Sequence, residues 1–302
     1  MMPTSVALLG VGKMGAAFVD RWRGAGREVV LWNRTAAAAE ALAGDGVLVA
    51  ASAAGAASRS TFVVTMMTNG AAVQSVLLEG GALEAMTPGS TLIDLSTIDV
   101  PSSEAIAAAA RLRGVNYVRG GVSGTPPVVR GGNATLLLSG PAVAIDMAKA
   151  VLDEITPNQA VVGDAEQARI VKIAVNSMLG GTMQLLAEAT AIAEASGVDR
   201  SVFLDALDQT VISSRFVSYK GAALRSRDYN ATFTIADLKK DMELANGTAD
   251  ATGVKLVLGR AVLERVVKAM ESGYSKHDFL SLYCVEQVDS GMAADVEGDL
   301  RP

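Results

Sequence analysis

The stretch Ser5–Gly26, SVALLGVGKMGAAFVDRWRGAG, decides how the rest of the chain is read. Val6 to Leu9 is a short apolar run suited to a buried strand, and Met14 to Trp22 has the pattern of a helix. Between them Gly10, Gly12 and Gly15 stand in the spacing GxGxxG. On its own this pattern is weak, because 30 of the 302 residues are glycine. At a strand-to-helix turn it gains meaning. The first glycine allows the tight turn, the second lets backbone approach a pyrophosphate, and the third lets helix and strand pack closely. The helix N-terminus adds free N–H groups and a partial positive charge. The loop of Gly10, Val11, Gly12, Lys13, Met14 and Gly15 is therefore expected to hold a dinucleotide. The alternative is a glycine-rich turn without function, and the flanking strand and helix weigh against it.

The next strand, in REVVLWNRT, ends about twenty residues later, where a carboxylate would accept hydrogen bonds from the ribose of NAD. Asn33, Arg34 and Thr35 stand there instead. An arginine and two small polar groups suit the extra phosphate of NADP, so NADPH is the expected cofactor, preferred over NADH. A solvated surface arginine is the other reading of Arg34. Further β-rich runs follow at Thr61–Met67, Ser90–Thr97 and Ala134–Gly140, alternating with helical stretches such as VPSSEAIAAAARLRG, which has Pro101 near its start and Gly114 past its end. This alternation implies a mostly parallel sheet covered on both faces, with ligand contacts at the strand C-termini. Those ends carry Met67 and Thr68, Ser96 and Thr97, and the loop around Ser123.

After about residue 163 the β pattern stops. A long Ala-rich helix is expected from Ala165 to Ala195, then helices near Arg200–Gln209, Ile235–Asp250, Val254–Glu271 and Asp278–Ser290, with DVEGDLRP as a loose tail. The expected fold is thus an α/β Rossmann domain over residues 1–163 and an all-α domain over 164–302.

Half of the residues are hydrophobic and the formal net charge is −6, with no basic run, which argues against nucleic acid as a partner and for a small molecule. Cys284 is the one cysteine, so no intrachain disulfide forms and a thiolate zinc site is excluded; no metal is expected, and a reducing, cytoplasmic setting fits. No apolar run is read as reaching the roughly 20 residues of a membrane span.

The segment RIVKIAVNSMLGG, Arg169–Gly181, sets Lys172 and Asn176 four apart on one face of the long helix, among aliphatic residues. A buried ammonium is costly unless it has partners or shifts its pKa. The other reading is a lysine that snorkels to solvent. Hydride transfer to a carbonyl needs a group that protonates the developing alkoxide. The single histidine, His277, lies in the polar turn GYSKHD. None of the five tyrosines is followed by lysine four positions on, and zinc ligands are lacking. A lysine remains.

Taken together, GVGKMG, NRT, DLST at Asp94–Thr97, VSG at Val122–Gly124, KIAVN at Lys172–Asn176 and LKKDMELA at Leu238–Ala245 resemble, in order and spacing, the β-hydroxyacid dehydrogenases. That group includes 3-hydroxyisobutyrate dehydrogenases and glyoxylate or succinic semialdehyde reductases. The resemblance covers nearly the whole chain. It implies an NADPH-dependent oxidoreductase that reduces a small aldehyde or keto acid. Lys172 would be general acid in reduction and general base in oxidation. Asn176 and the loop Ser123, Gly124 and Thr125 would hold substrate, while Met67, Thr68, Thr97 and Lys240 would lie against the cofactor. With Lys240 nearby, a desolvated Lys172 is expected to titrate below its usual value of about 10.4.

The chain departs from the family pattern where members usually read DAPVSGG and it reads RGGVSGT, Arg119–Thr125; its MTN replaces LPN, and Ser275 replaces a glycine in GYSKHD. The stretch GGVSGTPPVVRGG also resembles imine reductases, although those usually carry Asp or Tyr in place of Lys172. Imine reduction is therefore an alternative activity, and a catalytically silent NADPH-binding sensor or scaffold is the non-enzymatic one. Asp237 and Asp241, which bracket Lys239 and Lys240, are read as balancing the charge of that pair, and the methionines and Cys284 as packing. The apolar helical half leads us to expect a homodimer or a tetramer built from it.

Overall fold

The computed structural model describes residues 5–299, in two compact units that divide at Lys172/Ile173. The first unit is built on eight strands: β1 (Val6–Leu9), β2 (Val29–Trp32), β3 (Val47–Val49), β4 (Phe62–Thr65), β5 (Thr91–Asp94), β6 (Asn116–Ser123), β7 (Thr135–Ser139) and β8 (Gln159–Gly163). They form one sheet in the order β3-β2-β1-β4-β5-β6-β7-β8. Every neighbouring pair is parallel except β6 with β7. The expected α/β Rossmann architecture is what the chain adopts.

The sequence of β1 explains its central place. Val6 and Leu8 enter one core cluster and Ala7 and Leu9 the other, so the strand is apolar on both faces. Phe18 and Trp22 of α1 (Lys13–Gly24) cover the first face. The short helices α2 (Ala36–Glu40), α3 (Ala53–Ala57) and α4 (Gly70–Gln74) follow. Ile106 and Ala110 of α5 (Val100–Leu112) cover the second face. After α6 (Pro126–Arg130), the helix α7 (Ala142–Ile155) returns to the first face with Val151 and Leu152. The strand order reverses between β1 and β4, which opens the crevice at their C-terminal ends where such sheets bind ligands.

Three strands are not evident from the sequence. β3 is only three residues long. β6, NYVRGGVS, holds an arginine and two glycines and so lacks an apolar run; its place is fixed by pairing with β5 and β7. β8 is a half-exposed edge strand.

The helix α8 (Gln167–Ala195) runs for 29 residues through the division. By length and composition it is long and apolar enough to cross a membrane, contrary to the sequence expectation that no segment would be, as the core helix of a water-soluble protein can also be. The second unit continues with α9 (Arg200–Asp208), α10 (Arg215–Ser226), α11 (Ile235–Thr252), α12 (Val257–Glu271) and α13 (Leu282–Asp289). Of these, α10 was not anticipated: RFVSYKGAALRS mixes cations into its apolar spacing, and Lys220 is buried against Asp278 at 2.6 Å. Met183, Leu186, Leu204, Leu224, Leu238, Met242, Val266 and Tyr283 make the core.

The segment expected to be a loose tail is fastened as far as it is described. The side chain of Asp295 is 3% exposed and receives Arg200 at 2.5 Å and the Tyr229 hydroxyl at 2.7 Å, while Asp299 N–H donates to Gly273 O at 3.0 Å. Burial works against the charge of Asp295, but hydrogen bonds from Arg200, Tyr229 and Gln287 hold its carboxyl below the ordinary range. Residues 300–302 of the expected tail lie outside the described residues.

Candidate active site

The glycine loop has the geometry that the fingerprint requires. Gly10 has φ +103°, and a Cβ there would strike Met66 O at the end of β4. A Cβ on Gly15 would lie 2.5 Å from Gly10 O, whereas one on Gly12 would meet nothing. Two of the glycines are thus compelled by packing, and the third leaves backbone open to an incoming group. Gly12 caps α1 without any side-chain hydrogen bond, and the first turn has no acidic residue. The end of α1 is therefore suited to an anion. Lys13 is exposed beside it, and Met14 is half-buried against the core.

Asn33 does something that its place at the strand tip does not reveal. Its Oδ1 accepts from Val11 N–H at 2.9 Å and its Nδ2 donates to Thr35 O at 2.9 Å, so the amide ties the glycine loop to the turn after β2. Arg34 and Thr35 are exposed at that turn, and Thr35 caps α2 without using its side chain.

At the C-terminal ends of β4, β5 and β6 one buried ion pair organises the backbone. Arg169, 1% exposed, meets Asp94, 0% exposed, at 2.6 Å. The Arg169 Nη1 donates to the carbonyls of Ser96 at 2.7 Å, Gly120 at 2.8 Å and Asp94 at 3.2 Å. Its Nη2 also reaches the Tyr117 hydroxyl at 3.0 Å, and its Nε the Ser103 hydroxyl at 3.3 Å. Asp94 Oδ1 accepts from the Thr65 hydroxyl at 2.7 Å and from Ser96 N–H at 3.0 Å. The Ser96 hydroxyl in turn accepts from Met67 N–H at 2.9 Å. The loops carrying Met67–Thr68 and Ser96–Thr97 are thereby locked to one another. Burial pushes the Tyr117 hydroxyl up to about 12, against the opposing pull of Arg169, so it stays protonated.

Three residues after Arg169, on the same face of α8, Lys172 is half-buried and its Nζ donates to Val122 O at 2.8 Å. The pairing of β5 with β6 ends at Asp94 and Arg119, while β6 continues to Ser123 beside β7. Gly120 and Val122 therefore sit on an overhang. Their carbonyls, two residues apart, are satisfied by the two cations of α8 rather than by a strand. The overhang leads into Ser123, into Gly124 at φ +149°, and into Thr125, which caps α6 without a side-chain bond.

In the second unit Asn176 is buried and its Nδ2 donates to Asp241, whose other carboxylate oxygen lies 2.9 Å from Lys240. Asp237 instead forms the capping box of α11 with Thr234. Of the expected site residues, the loop Gly10–Gly15, Asn33–Thr35, Met67–Thr68, Thr97, Ser123–Thr125 and Lys172 belong to the first unit, and Asn176 and Lys240 to the second. Reading the sequence paired Asp241 with the neighbouring lysines, as Lys240 bears out, but did not single out Arg169, its pairing with Asp94, or the bond from Asn176 to Asp241. The available signal was the charge of Arg169 one turn before Lys172 in an otherwise apolar segment. Among the described residues no group of three or more His, Cys, Asp or Glu could hold a metal.

The family profile of the NAD-binding domain of 6-phosphogluconate dehydrogenase matches residues 5–163, and that of the NAD-binding domain of NADP-dependent 3-hydroxyisobutyrate dehydrogenase matches residues 167–285. The chain belongs to the β-hydroxyacid dehydrogenase family. It is an NAD(P)-dependent oxidoreductase that acts on CH–OH groups. Among its relatives is glyoxylate/succinic semialdehyde reductase 1 of Arabidopsis thaliana, 28% identical over 91% of this chain and 95% of that protein. A 3-hydroxyisobutyrate dehydrogenase from Salmonella typhimurium superposes with a TM-score of 0.85 at 27% identity, covering 93% of this chain and 99% of that one. A reductive aminase from Aspergillus terreus, solved with NADPH and ethyl levulinate, gives 0.63 at 25% identity over 93% and 98%.

Removing Asp94 from this dehydrogenase would leave a buried guanidinium without its counter-charge. Asp94→Ala is therefore expected to cost about 3–5 kcal/mol of stability, read as a lowered midpoint in denaturant unfolding.

Proposed function

We propose that this dehydrogenase is an NADPH-dependent reductase of a small aldehyde or keto acid, of the glyoxylate or semialdehyde kind, with Lys172 as its general acid. The observation that carries the reading is the seat of Lys172. It is half-buried, its Nζ is anchored on Val122 O at 2.8 Å, and it lies at the C-terminal edge of the sheet beside Ser123. A dinucleotide held at the Gly10–Gly15 loop would supply the hydride. As negative charge builds on the carbonyl oxygen, Lys172 delivers a proton to that oxygen from Nζ, and in the oxidative direction it takes the proton back. Ser123 and Thr125 flank the Gly124 turn and offer hydroxyls to the substrate, and Asn176 is the next polar group along α8. The activity for which the Arabidopsis relative is named supports the substrate class.

NADPH is assigned on Arg34. An exposed guanidinium at the tip of β2, where no carboxylate stands, suits a 2′-phosphate. A second reading, reduction of a C=N bond, is favoured by the Thr125–Pro126 start of α6 and by the likeness to the reductive aminase. A panel of glyoxylate, semialdehydes and cyclic imines with NADPH separates the two.

A second copy of the chain is the proposed partner. Val175, Met178, Leu185 and Ile192 are exposed on α8, with the half-buried Thr182 and Ala189 between them. These residues recur in alternating steps of three and four, which is the spacing of a seam that receives another helix. Light scattering is expected to give at least twice the mass of one chain, and a single-chain mass would remove this partner.

Lys172→Ala is expected to lower kcat about 10²- to 10⁴-fold while NADPH still binds in a fluorescence titration; near-normal turnover would reject the assignment. Arg34→Ala is expected to raise the KM for NADPH by about 10- to 100-fold and to leave that for NADH nearly unchanged. Equal losses with both cofactors would overturn the preference.

A further inference from the structure

The stem of Lys172 lies against a position that has no side chain. A Cβ built on Gly121 would meet Lys172 Cγ at 2.8 Å, Cβ at 3.0 Å and Cδ at 3.1 Å. Those three atoms are the near part of the lysine, tied to the helix, so the clash cannot be relieved by swinging a flexible tip aside. Gly121 is buried in β6 and paired with Leu137 of β7, so the strand cannot easily retreat. Arg169 holds the same helix face to Gly120 O at 2.8 Å, one residue away, which keeps α8 from lifting off. Gly120 itself serves a different need. A Cβ there would meet Leu95 Cδ2 at 2.6 Å and Leu138 Cδ2 at 3.1 Å, and no atom of Lys172 is among its nearest neighbours.

We infer that Gly121 is a positioning residue for Lys172: its bare α-carbon is the slot in which the lysine's methylenes lie, and it sets where Nζ stands. The inference rests on the assignment of Lys172 as the proton donor. The hydrogen bond to Val122 O is the consequence of that slot. With the stem flat on the strand at residue 121, Nζ reaches the next carbonyl along the same overhang. A side chain at 121 pushes the stem outward, breaks that anchor, and moves the amine relative to the loop Ser123–Thr125. The glycine tunes proton delivery through the lysine stem.

The test compares Gly121→Ala with Gly120→Ala in the full-length chain. Gly121→Ala is expected to lower kcat about 100-fold, as a displacement of about 1 Å of a reacting group does, with the KM for NADPH unchanged. Reductive methylation with formaldehyde and cyanoborohydride, followed by mass spectrometry of the peptide containing Lys172, is expected to run several-fold faster once Nζ leaves Val122 O. Gly120→Ala is expected to lower the Tm through its leucine contacts while Lys172 is methylated at the wild-type rate. A folded Gly121→Ala protein with wild-type methylation and kcat overturns the proposal. If Gly121→Ala does not fold, the double variant with Lys172→Gly, which removes all three contacting atoms, decides. Recovered folding supports a clash with the lysine stem, and continued failure overturns it. Full activity in Lys172→Ala alone would reject the acid–base reading, yet the methylation comparison would still judge the slot.

Discussion

The buried pair between Arg169 and Asp94 is the constraint on which the C-terminal edge of the sheet depends. Where β5 stops and β6 runs on, the carbonyls of Asp94, Ser96 and Gly120 lose the neighbouring strand that would have satisfied them. A buried backbone oxygen without a donor costs about as much as a lost hydrogen bond. One guanidinium supplies those donors from a single planar fork, and its own charge is balanced by Asp94. Lysine, a point charge on a flexible stem, could not reach this many oxygens from one place. Through Thr65, Ser96 and Met67 the same carboxylate extends the lock to the end of β4.

This arrangement also sets the chemistry of α8. A helix whose first turn is nailed to the sheet presents its next turn at a fixed angle and depth, so Lys172 needs only its own reach to find Val122 O. The departure from the family pattern in RGGVSGT falls at this spot. Gly121 stands where a proline is usual and lies under the lysine stem, and Arg119, where an aspartate is usual, pairs with Glu166 at 2.5 Å just before α8 begins. Of these departures, Gly121 and its neighbour Gly120 are the ones that meet α8, through the Lys172 stem and the Arg169 guanidinium. In the second unit Asp241 plays a comparable part, joining Asn176 to Lys240.

Much of the nucleotide-binding half was legible because its signals are local. A four-residue strand, three glycines at fixed spacing and a helix follow one another without a break, and packing requires two of the glycines, Gly10 against Met66 O and Gly15 against Gly10 O. The long helix was equally readable from its Ala-rich, proline-free run. The pairing partner of β6 was not, since NYVRGGVS has no apolar alternation and becomes a strand through hydrogen bonds to residues far away in the chain. The fate of Asp295 was hidden for the same reason: a charged residue near the C-terminus looks solvated until Arg200 and Tyr229 are brought to it.

The sequence by itself determined the alternation of strands and helices in the first half, the helical character of the second, the dinucleotide turn, and the presence of a lysine in an apolar helix, because these follow from backbone sterics and from periodicities a few residues long. Only the tertiary structure decided what that lysine touches. Its partners, Val122 O and the bare Gly121, lie some fifty residues earlier, and the arginine beside it finds its counter-charge seventy-five residues away. Such contacts are set by which strands end where, and by which carbonyls are left facing an element that arrives later in the chain.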